Sequence, residues 1–238
     1  MAQLVLDLEY RPALGREDFL VAPANELAVA WIDRWPDWPG FALAIVGPPG
    51  SGKSHLLQVW RAMSGAVEID PARLEVGAIA ELLGPAEGVA LDGLDAVLEG
   101  DPGRAPERAE ALLHLYNLLA ERGGHLLLTG RRPPARWPVA LADLRSRLAT
   151  VQTVELGAPD DALIEALLVK LFADRQLAVG PEVVRFLLAR MERSFAAARR
   201  LVAALDRAAL ESRRGITVPL ARQVLRDLAP AVEDDDIN

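Results

Sequence analysis

The chain has 238 residues, 51% hydrophobic and 25% charged, which suits one large or two modest globular domains with a real core. Its formal net charge of -8 argues against a surface that attracts nucleic acid as a whole, and the lack of cysteine excludes disulfides and thiolate metal sites. No run of 18 apolar residues occurs, and the start of the chain is not a basic segment followed by an apolar one. We therefore expect a cytoplasmic protein that does not bind membranes.

The first residues have the pattern of an extended docking peptide. Gln3 is followed by Leu4, Leu6 and Leu8, an alternation that also suits a half-buried edge strand. In a docking peptide, the leucines would enter apolar pockets of another protein while the glutamine amide hydrogen-bonds at the rim. So short a pattern leaves both interpretations open when taken alone.

A phosphate-binding motif lies between a predicted strand at residues 41–46 and a predicted helix at residues 55–60. Its residues are Gly47, Pro48, Pro49, Gly50, Ser51, Gly52, Lys53 and Ser54, and His55 follows. This strand–loop–helix context is what the motif G-x-x-x-x-G-K-[ST] requires. The glycines allow backbone N–H groups to point at phosphates, and the helix adds its positive N-terminal end.

Two side chains of this motif carry specific roles. Lys53 would reach the β- and γ-phosphates of ATP, and the Ser54 hydroxyl would ligate Mg²⁺. A plain glycine-rich turn is the alternative. Lys53 is one of only two lysines among 26 basic residues, and its place at the position that needs a compact point charge favours the phosphate loop.

Two later predicted strands end in polar residues. The strand at residues 88–92 ends in Asp92, whose carboxylate we expect in the magnesium shell, although a helix-capping role is the alternative. The strand at residues 125–129 ends in Thr129, which we expect near the γ-phosphate. Gly93 has no side chain to orient an attacking water, and Asp95 lies beyond a predicted turn. We expect nucleotide binding without efficient hydrolysis by this chain alone.

The remaining patterns divide the chain into an α/β part and an all-α part. Further helices are predicted at residues 26–34, 78–83, 110–122 and 141–148, further strands at 66–70 and 153–156, and a surface loop at 101–108. From residue 159 onward four helical patterns follow without a strand, at 162–175, 181–192, 195–213 and 219–228. We place the domains at 1–12 (docking peptide), 13–157 (α/β), 158–230 (all-α) and 231–238 (an acidic, solvated tail).

This order resembles the AAA+ class, in which a parallel α/β phosphate-loop domain precedes a small helical lid. Residues 19–25 resemble the segment of the bacterial initiator DnaA that packs beside adenine, which implies contacts from Phe19 and Val21. Residues 127–134 resemble its sensor-1 region. Residues 143–148 resemble its arginine-finger box, in which Arg147 matches the arginine that reaches a neighbour's ATP. The resemblance spans about residues 14–228 and implies an α/β AAA+ domain with a parallel sheet and a lid.

We expect no oligomerisation region before residue 13 and no helix-turn-helix domain after the lid, a combination that resembles the Hda (HdaA) regulators. The resemblance implies that Gln3, Leu4, Leu6 and Leu8 bind the replicative sliding clamp, the β subunit of DNA polymerase III. It also implies that Arg147 acts in trans to promote hydrolysis of DnaA-bound ATP. DNA would then be contacted only through the clamp, and a homodimer stays open.

The sequence departs from the DnaA pattern in two places. Gly130 and Arg131 replace a serine and an acid at sensor 1. The best register puts Ala196 where a lid arginine contacts the nucleotide, with Arg199 or Arg200 as substitutes one turn later. We expect ADP rather than ATP, with Mg²⁺. The alternative functions are a stand-alone AAA+ ATPase that acts on DNA as a loader or helper, and a nucleotide-gated clamp adaptor.

Overall fold

The computed structural model describes residues 21–212 and 214–228. The predicted docking peptide with Gln3, Leu4, Leu6 and Leu8, the adenine contact Phe19 and the acidic tail at 231–238 lie outside the described residues.

A parallel five-stranded sheet forms the centre of the first domain in this part of the chain. Its strands are β1 (Ala42–Val46), β2 (Val67–Glu68), β3 (Gly88–Leu91), β4 (His125–Gly130) and β5 (Gln152–Glu155). They lie in the order β2-β3-β4-β1-β5. All five residues of β1 are buried, as expected for a parallel strand covered on both faces. The predicted strand at 66–70 is reduced to the two residues of β2.

Helices cover both faces of this sheet. They are α1 (Glu26–Asp33), α2 (Lys53–Ser64), α3 (Ile79–Leu83), α4 (Leu94–Gly100), α5 (Ala105–Arg122) and α6 (Ala142–Ala149). Alternate residues of β1 serve opposite cores: Leu43 and Ile45 pack with α1 and α2, whereas Ala42 and Ala44 face the side of α3 to α6. The period of two along the strand divides the core into two layers.

The predicted loop at 101–108 is wrong in its second half. Helix α5 begins at Ala105, and Pro106 lies in its first turn. Proline is tolerated there because N–H groups in the first turn have no hydrogen-bond acceptor within the helix. Arg108 is therefore buried, with Nη1 donating to the carbonyl of Val97 (3.3 Å) and Nη2 3.6 Å from Asp101. The sequence analysis also missed α4, which joins the end of β3 to this loop.

The C-terminal part is all-helical, with α7 (Asp161–Asp174), α8 (Pro181–Leu188), α9 (Phe195–Ser212) and α10 (Val218–Leu228). These helices enclose a core of their own that includes Leu168, Val183 and Leu201. The Asp160 carboxylate caps α7 by accepting from the N–H of Leu163 at 2.8 Å. None of the described helices combines the length and apolar character that crossing a bilayer requires.

Candidate functional site

The glycine-rich loop leaves the carboxyl end of β1 and leads directly into α2, which begins at Lys53. The N–H of Gly47 donates to the carbonyl of Gly130 at 3.1 Å, so the start of the loop is fixed to the end of β4. The carboxyl ends of parallel strands meet at one edge of a sheet, which is where ligands bind in open α/β folds. The loop predicted from the sequence therefore lies at the edge suited to a ligand.

Two glycines of the loop are required by conformation and by close packing. Gly50 has φ +74° and Gly52 has φ +100°, both in the region that side chains disfavour. A Cβ on Gly50 would lie 2.3 Å from Cβ of Ser194, and one on Gly52 would lie 3.1 Å from the ring of Phe195. The helical domain thus approaches the loop too closely for side chains at these positions.

The loop presents hydrogen-bond donors and a cation. Within the described residues, the N–H groups of Gly52, Lys53 and Ser54 have no acceptor, as is usual in the first turn of a helix. Lys53 Nζ donates to the carbonyls of Gly47 (2.8 Å) and Pro48 (2.7 Å). Burial lowers the pKa of Lys53, the charges of Asp92 and Asp95 oppose that change, and Arg131 adds to it. Donors and lysine together make a site that suits a phosphate group.

Asp92 and Thr129 form one network across the ends of β3 and β4. The Thr129 hydroxyl donates to Asp92 Oδ1 at 2.5 Å and accepts from the N–H of Gly93 at 2.8 Å. Thr129 is fully buried, and both of its bonds go to the β3 end. Its hydroxyl thus orients the Asp92 carboxylate. Asp92 Oδ2 makes no hydrogen bond within the described part of the chain and is open to a metal-bound water.

Asp95, which the sequence analysis placed beyond a predicted turn and left out of the site, is one of its components. The turn at Gly93 leads at once into α4, which returns Asp95 to the end of β4. The Asp95 side chain is buried, with Oδ2 accepting from the N–H of Arg131 (2.6 Å) and Oδ1 from the N–H of Ala96 (2.9 Å). An acid in the first turn of a helix was the available signal, but α4 itself had not been recognised.

The helical domain contacts the phosphate loop through the start of α9. The N–H of Phe195 donates to the carbonyl of Gly50 at 3.1 Å, and Arg199 Nη2 donates to His55 Nδ1 at 2.9 Å. Arg200 lies instead on a separate depression of the lid beside Leu225 and Leu228. Of the two arginines left open by the sequence, Arg199 is the one placed beside the loop.

The segment that includes Val21 adjoins the junction between the domains. Val21 is exposed, and just after it the buried Asn25 accepts from the N–H of Ala22 at 2.8 Å. The N–H of Gly157 donates to the carbonyl of Ala24 at 2.9 Å, which fixes this segment where β5 passes into the lid. The predicted contact of Val21 with adenine stays a prediction.

Arg147 lies on α6, which ends beside the start of β5 at the amino edge of the sheet. Its Nε and Nη2 donate to the two oxygens of Asp143 at 3.0 and 3.2 Å, and 38% of its side chain is exposed. Its guanidinium carbon is 5.8 Å from the ring centre of Tyr116, whose pKa is raised by burial. The length of a four-residue strand, about 13 Å, separates this edge from the phosphate loop.

One protein-family comparison matches the helical domain. Residues 160–225 match the family model described as the Hda lid domain. The match begins at the N-cap of α7 and ends within α10, so it covers the lid and none of the sheet.

Solved structures match both domains. Domain III of the Thermotoga maritima replication initiation protein DnaA has a TM-score of 0.76 at 18% identity, over 91% of this chain and 97% of that one. Aquifex aeolicus DnaA bound to AMPPCP has a TM-score of 0.68 at 18% identity, over 91% and 71%. The Thermotoga maritima RuvB branch migration motor has a TM-score of 0.61 at 15% identity, over 79% and 61%. The predicted fold, an AAA+ domain with a helical lid, is confirmed.

Proposed function

We propose that this chain, whose helical domain matches the Hda lid model and whose fold matches that of DnaA, holds a nucleotide and regulates the initiation of DNA replication. It does so by promoting hydrolysis of the ATP bound to DnaA. The observation that carries this proposal is the position of Arg147, which is partly exposed and lies at the edge of the sheet opposite its own phosphate loop. An arginine so placed can reach a nucleotide only on another molecule.

The nucleotide of this chain, ADP or ATP, serves to hold the two domains together. The lid already contacts the loop through Phe195 and Arg199, so a bound nucleotide would add a third component to that contact. The exposed Ser54 hydroxyl would ligate a Mg²⁺ ion, and the free oxygen of Asp92 would accept a hydrogen bond from a water bound to that ion. Such an ion supplies charge neutralisation. The AMPPCP bound by Aquifex aeolicus DnaA supports nucleotide binding in this fold.

Turnover in this site is expected to be slow. Position 93 is a glycine, so no carboxylate follows Asp92 directly. Asp95 is the nearest buried acid along the chain, and its two oxygens accept hydrogen bonds from the N–H groups of Arg131 and Ala96. This bonding suits a structural role better than proton transfer. A site that binds nucleotide without using it rapidly is consistent with a regulator.

Arg147 supplies the chemistry in trans. An arginine brought to a neighbour's ATP stabilises the charge that develops on the transferred phosphoryl group and is worth roughly 10³–10⁵ in rate. In the free protein, the Asp143 carboxylate and the Tyr116 ring hold the Arg147 guanidinium in place. Docking of DnaA against α6 would present the ATP of DnaA to this side chain.

Clamp binding is proposed from the sequence of the docking peptide. Gln3, Leu4, Leu6 and Leu8 would bind the sliding clamp and bring the protein to DNA indirectly. Substitution of Gln3, Leu6 and Leu8 by Ala should remove clamp binding in surface plasmon resonance while nucleotide affinity stays unchanged. Undiminished clamp binding would contradict the peptide's role.

The decisive experiment is reconstitution with DnaA–ATP, DNA-loaded clamp and this protein, with hydrolysis followed over time. The wild-type protein should accelerate hydrolysis, and Arg147→Ala should abolish the acceleration. Arg145→Ala is the matched control, because Arg145 is exposed on the same helix and bonds only weakly to the carbonyl of Val139. Equal acceleration by Arg147→Ala and Arg145→Ala would refute the finger. ATP hydrolysis by this protein with DNA alone would support a stand-alone ATPase instead.

A further inference from the structure

The depression of the lid beside Arg200, here called the lid groove, lies between the end of α8, the start of α9 and the end of α10. Its volume is about 690 Å³, and it is lined by Arg190, Met191, Glu192, Ala197, Arg200, Leu201, Leu225 and Leu228. Met191 and Leu201 are buried, whereas Leu228, at the end of α10, is 46% exposed. The lid groove thus combines an apolar floor with a margin that is open to solvent.

The charged residues of the lid groove are mostly arginines. Arg190 and Arg200 are exposed, and neither forms an ion pair within the described part of the chain. The guanidinium carbon of Arg190 lies 4.2 Å from the ring centre of Phe186, and that of Arg222 on α10 lies 5.6 Å from the same ring. Glu192 is the one acid among the lining residues. The lid groove and its margin therefore suit an acidic segment that also carries an apolar side chain.

The chain itself continues from the lid groove into a segment of this kind. After Leu228, residues 229–238 contain an apolar side chain at Val232 and then four consecutive acids at 233–236. Pro230 lacks the N–H that a continuing α10 would require. An extended chain covers up to about 3.5 Å per residue, so Val232 can reach about 14 Å from Leu228 and the acids can reach farther. Both the apolar side chain and the acids are thus long enough in reach for a groove that begins at Leu228.

We propose that residues 229–238 dock in the lid groove of their own chain. The Val232 side chain contacts the apolar floor, and the acids at 233–236 pair with Arg190 and Arg200. The sequence analysis expected these acids to be solvated, and the uncompensated arginines give them a binding site instead. This inference is independent of the proposed function, because none of these residues belongs to the phosphate loop or to α6.

The tether favours the chain's own segment over the two other occupants, the same segment of a second copy and an acidic peptide of another protein. A short linker raises the effective concentration of a tethered segment to the millimolar range, so contacts that are individually weak are enough for docking. The docked segment would contact Ala197 and Arg200 on α9. The first residue of that helix, Phe195, donates to the phosphate loop, so docking involves the helix that joins the two domains.

Disulfide cross-linking in the intact chain tests the proposal, since the chain has no cysteine of its own. Val232→Cys is combined either with Ala197→Cys inside the lid groove or with Gln223→Cys. Gln223 is exposed and lies two residues before Leu225, hence on the opposite side of α10. A segment without a docking site would reach both positions at similar rates. Docking should make the intramolecular disulfide at position 197 form roughly 10-fold faster than the one at position 223.

The preference for position 197 should also depend on charge. Replacement of the four acids by their amides, with Glu233→Gln and Asp→Asn at 234–236, should lower the rate at position 197 to that at position 223. A rise in NaCl from about 0.1 to about 1 M should reduce it as well, because the Debye length falls from about 10 to about 3 Å. Arg200→Ala should slow the reaction severalfold. Arg185→Ala is its matched control, because Arg185 is exposed on α8 but does not line the lid groove.

Three results would overturn the proposal. The first is equal rates of disulfide formation at positions 197 and 223. The second is a preference for position 197 that persists when the four acids are neutralised. The third is disulfide-linked dimers in place of cross-linked monomers on a non-reducing gel, which would assign the lid groove to the segment of a second copy. Circular dichroism melting of each reduced variant excludes misfolding as the cause of a changed rate.

Discussion

The two ends of the sheet are built differently. At the carboxyl end, the loop after β1, the network of Asp92 and Thr129, the buried Asp95 and the start of α9 all meet through hydrogen bonds. At the amino end, Arg147 is held by one carboxylate on its own helix and by one aromatic ring. The first end is an assembled site, whereas Arg147 at the second end lies on a partly exposed surface.

This difference separates what one chain does alone from what it does with another. A site that binds a small anion needs donors from several elements fixed before the ligand arrives. An arginine that acts on a neighbour's nucleotide needs only to be exposed, because the neighbour supplies the remaining groups. The carboxyl end should therefore respond to substitution in isolated protein, and the amino end only in the complex.

The largest expected effect in isolated protein is the loss of nucleotide binding in Lys53→Ala. Loss of two charge-assisted hydrogen bonds from the Lys53 ammonium to phosphate oxygens, worth about 3 kcal/mol, should weaken ADP binding about 100-fold in calorimetry. Lys170→Ala is the matched control, because Lys170 is the chain's other lysine and lies on α7 in the lid. Equal affinities of the two variants would contradict an assembled site at the carboxyl end.

The next largest effect concerns Asp95, the buried carboxylate beside that site. Asp95→Ala leaves the N–H groups of Arg131 and Ala96 without their acceptor and should lower the free energy of unfolding by about 2 kcal/mol in urea denaturation. Asp95→Asn keeps one acceptor oxygen and should lose less. If both variants unfold at the wild-type urea concentration, Asp95 does not support the strand end.

At the amino end, Asp143→Ala should change stability by less than about 0.5 kcal/mol, since pairs four residues apart on an exposed helix contribute little. The same variant should change the rate of DnaA-bound ATP hydrolysis in the reconstituted system, because Asp143 sets the resting position of Arg147. If Asp143→Ala lowered the free energy of unfolding as much as Asp95→Ala, the predicted difference between the two ends of the sheet would be wrong.

The smallest effect is a pH dependence in the lid, outside both ends. The hydrogen bond from Arg193 holds the pKa of Asp161 below its ordinary value. A lowered folded-state pKa means that the stabilisation is present above the unfolded-state value, about 3.9, and is lost as pH falls through the folded-state value. Melting temperatures of wild type and Asp161→Asn should differ slightly at pH 7 and converge below pH 3.9. A constant difference would exclude this ion pair as its cause.

The phosphate loop could be predicted because its signal is local: eight consecutive residues between a strand and a helix fix its geometry. The hydrogen bond by which Thr129 orients Asp92 could not be predicted. The two residues are 37 positions apart, and they meet only because β3 lies beside β4. The choice of Arg199 over Arg200 likewise required the docking of α9 on the loop. The start of α5 could not be predicted from Pro106, because proline occurs in the first turn of helices as well as in loops.

The hydrogen bond between the N–H of Phe195 and the carbonyl of Gly50 has a consequence for how the chain tolerates change. Both partners are main-chain groups, so among the twenty amino acids only proline at position 195 removes the donor. The contact between Arg199 and His55, in contrast, depends on two side chains and can be lost through a single codon change. At position 195 the main-chain contact therefore tolerates any residue except proline, whereas at position 50 a side chain would clash with Ser194.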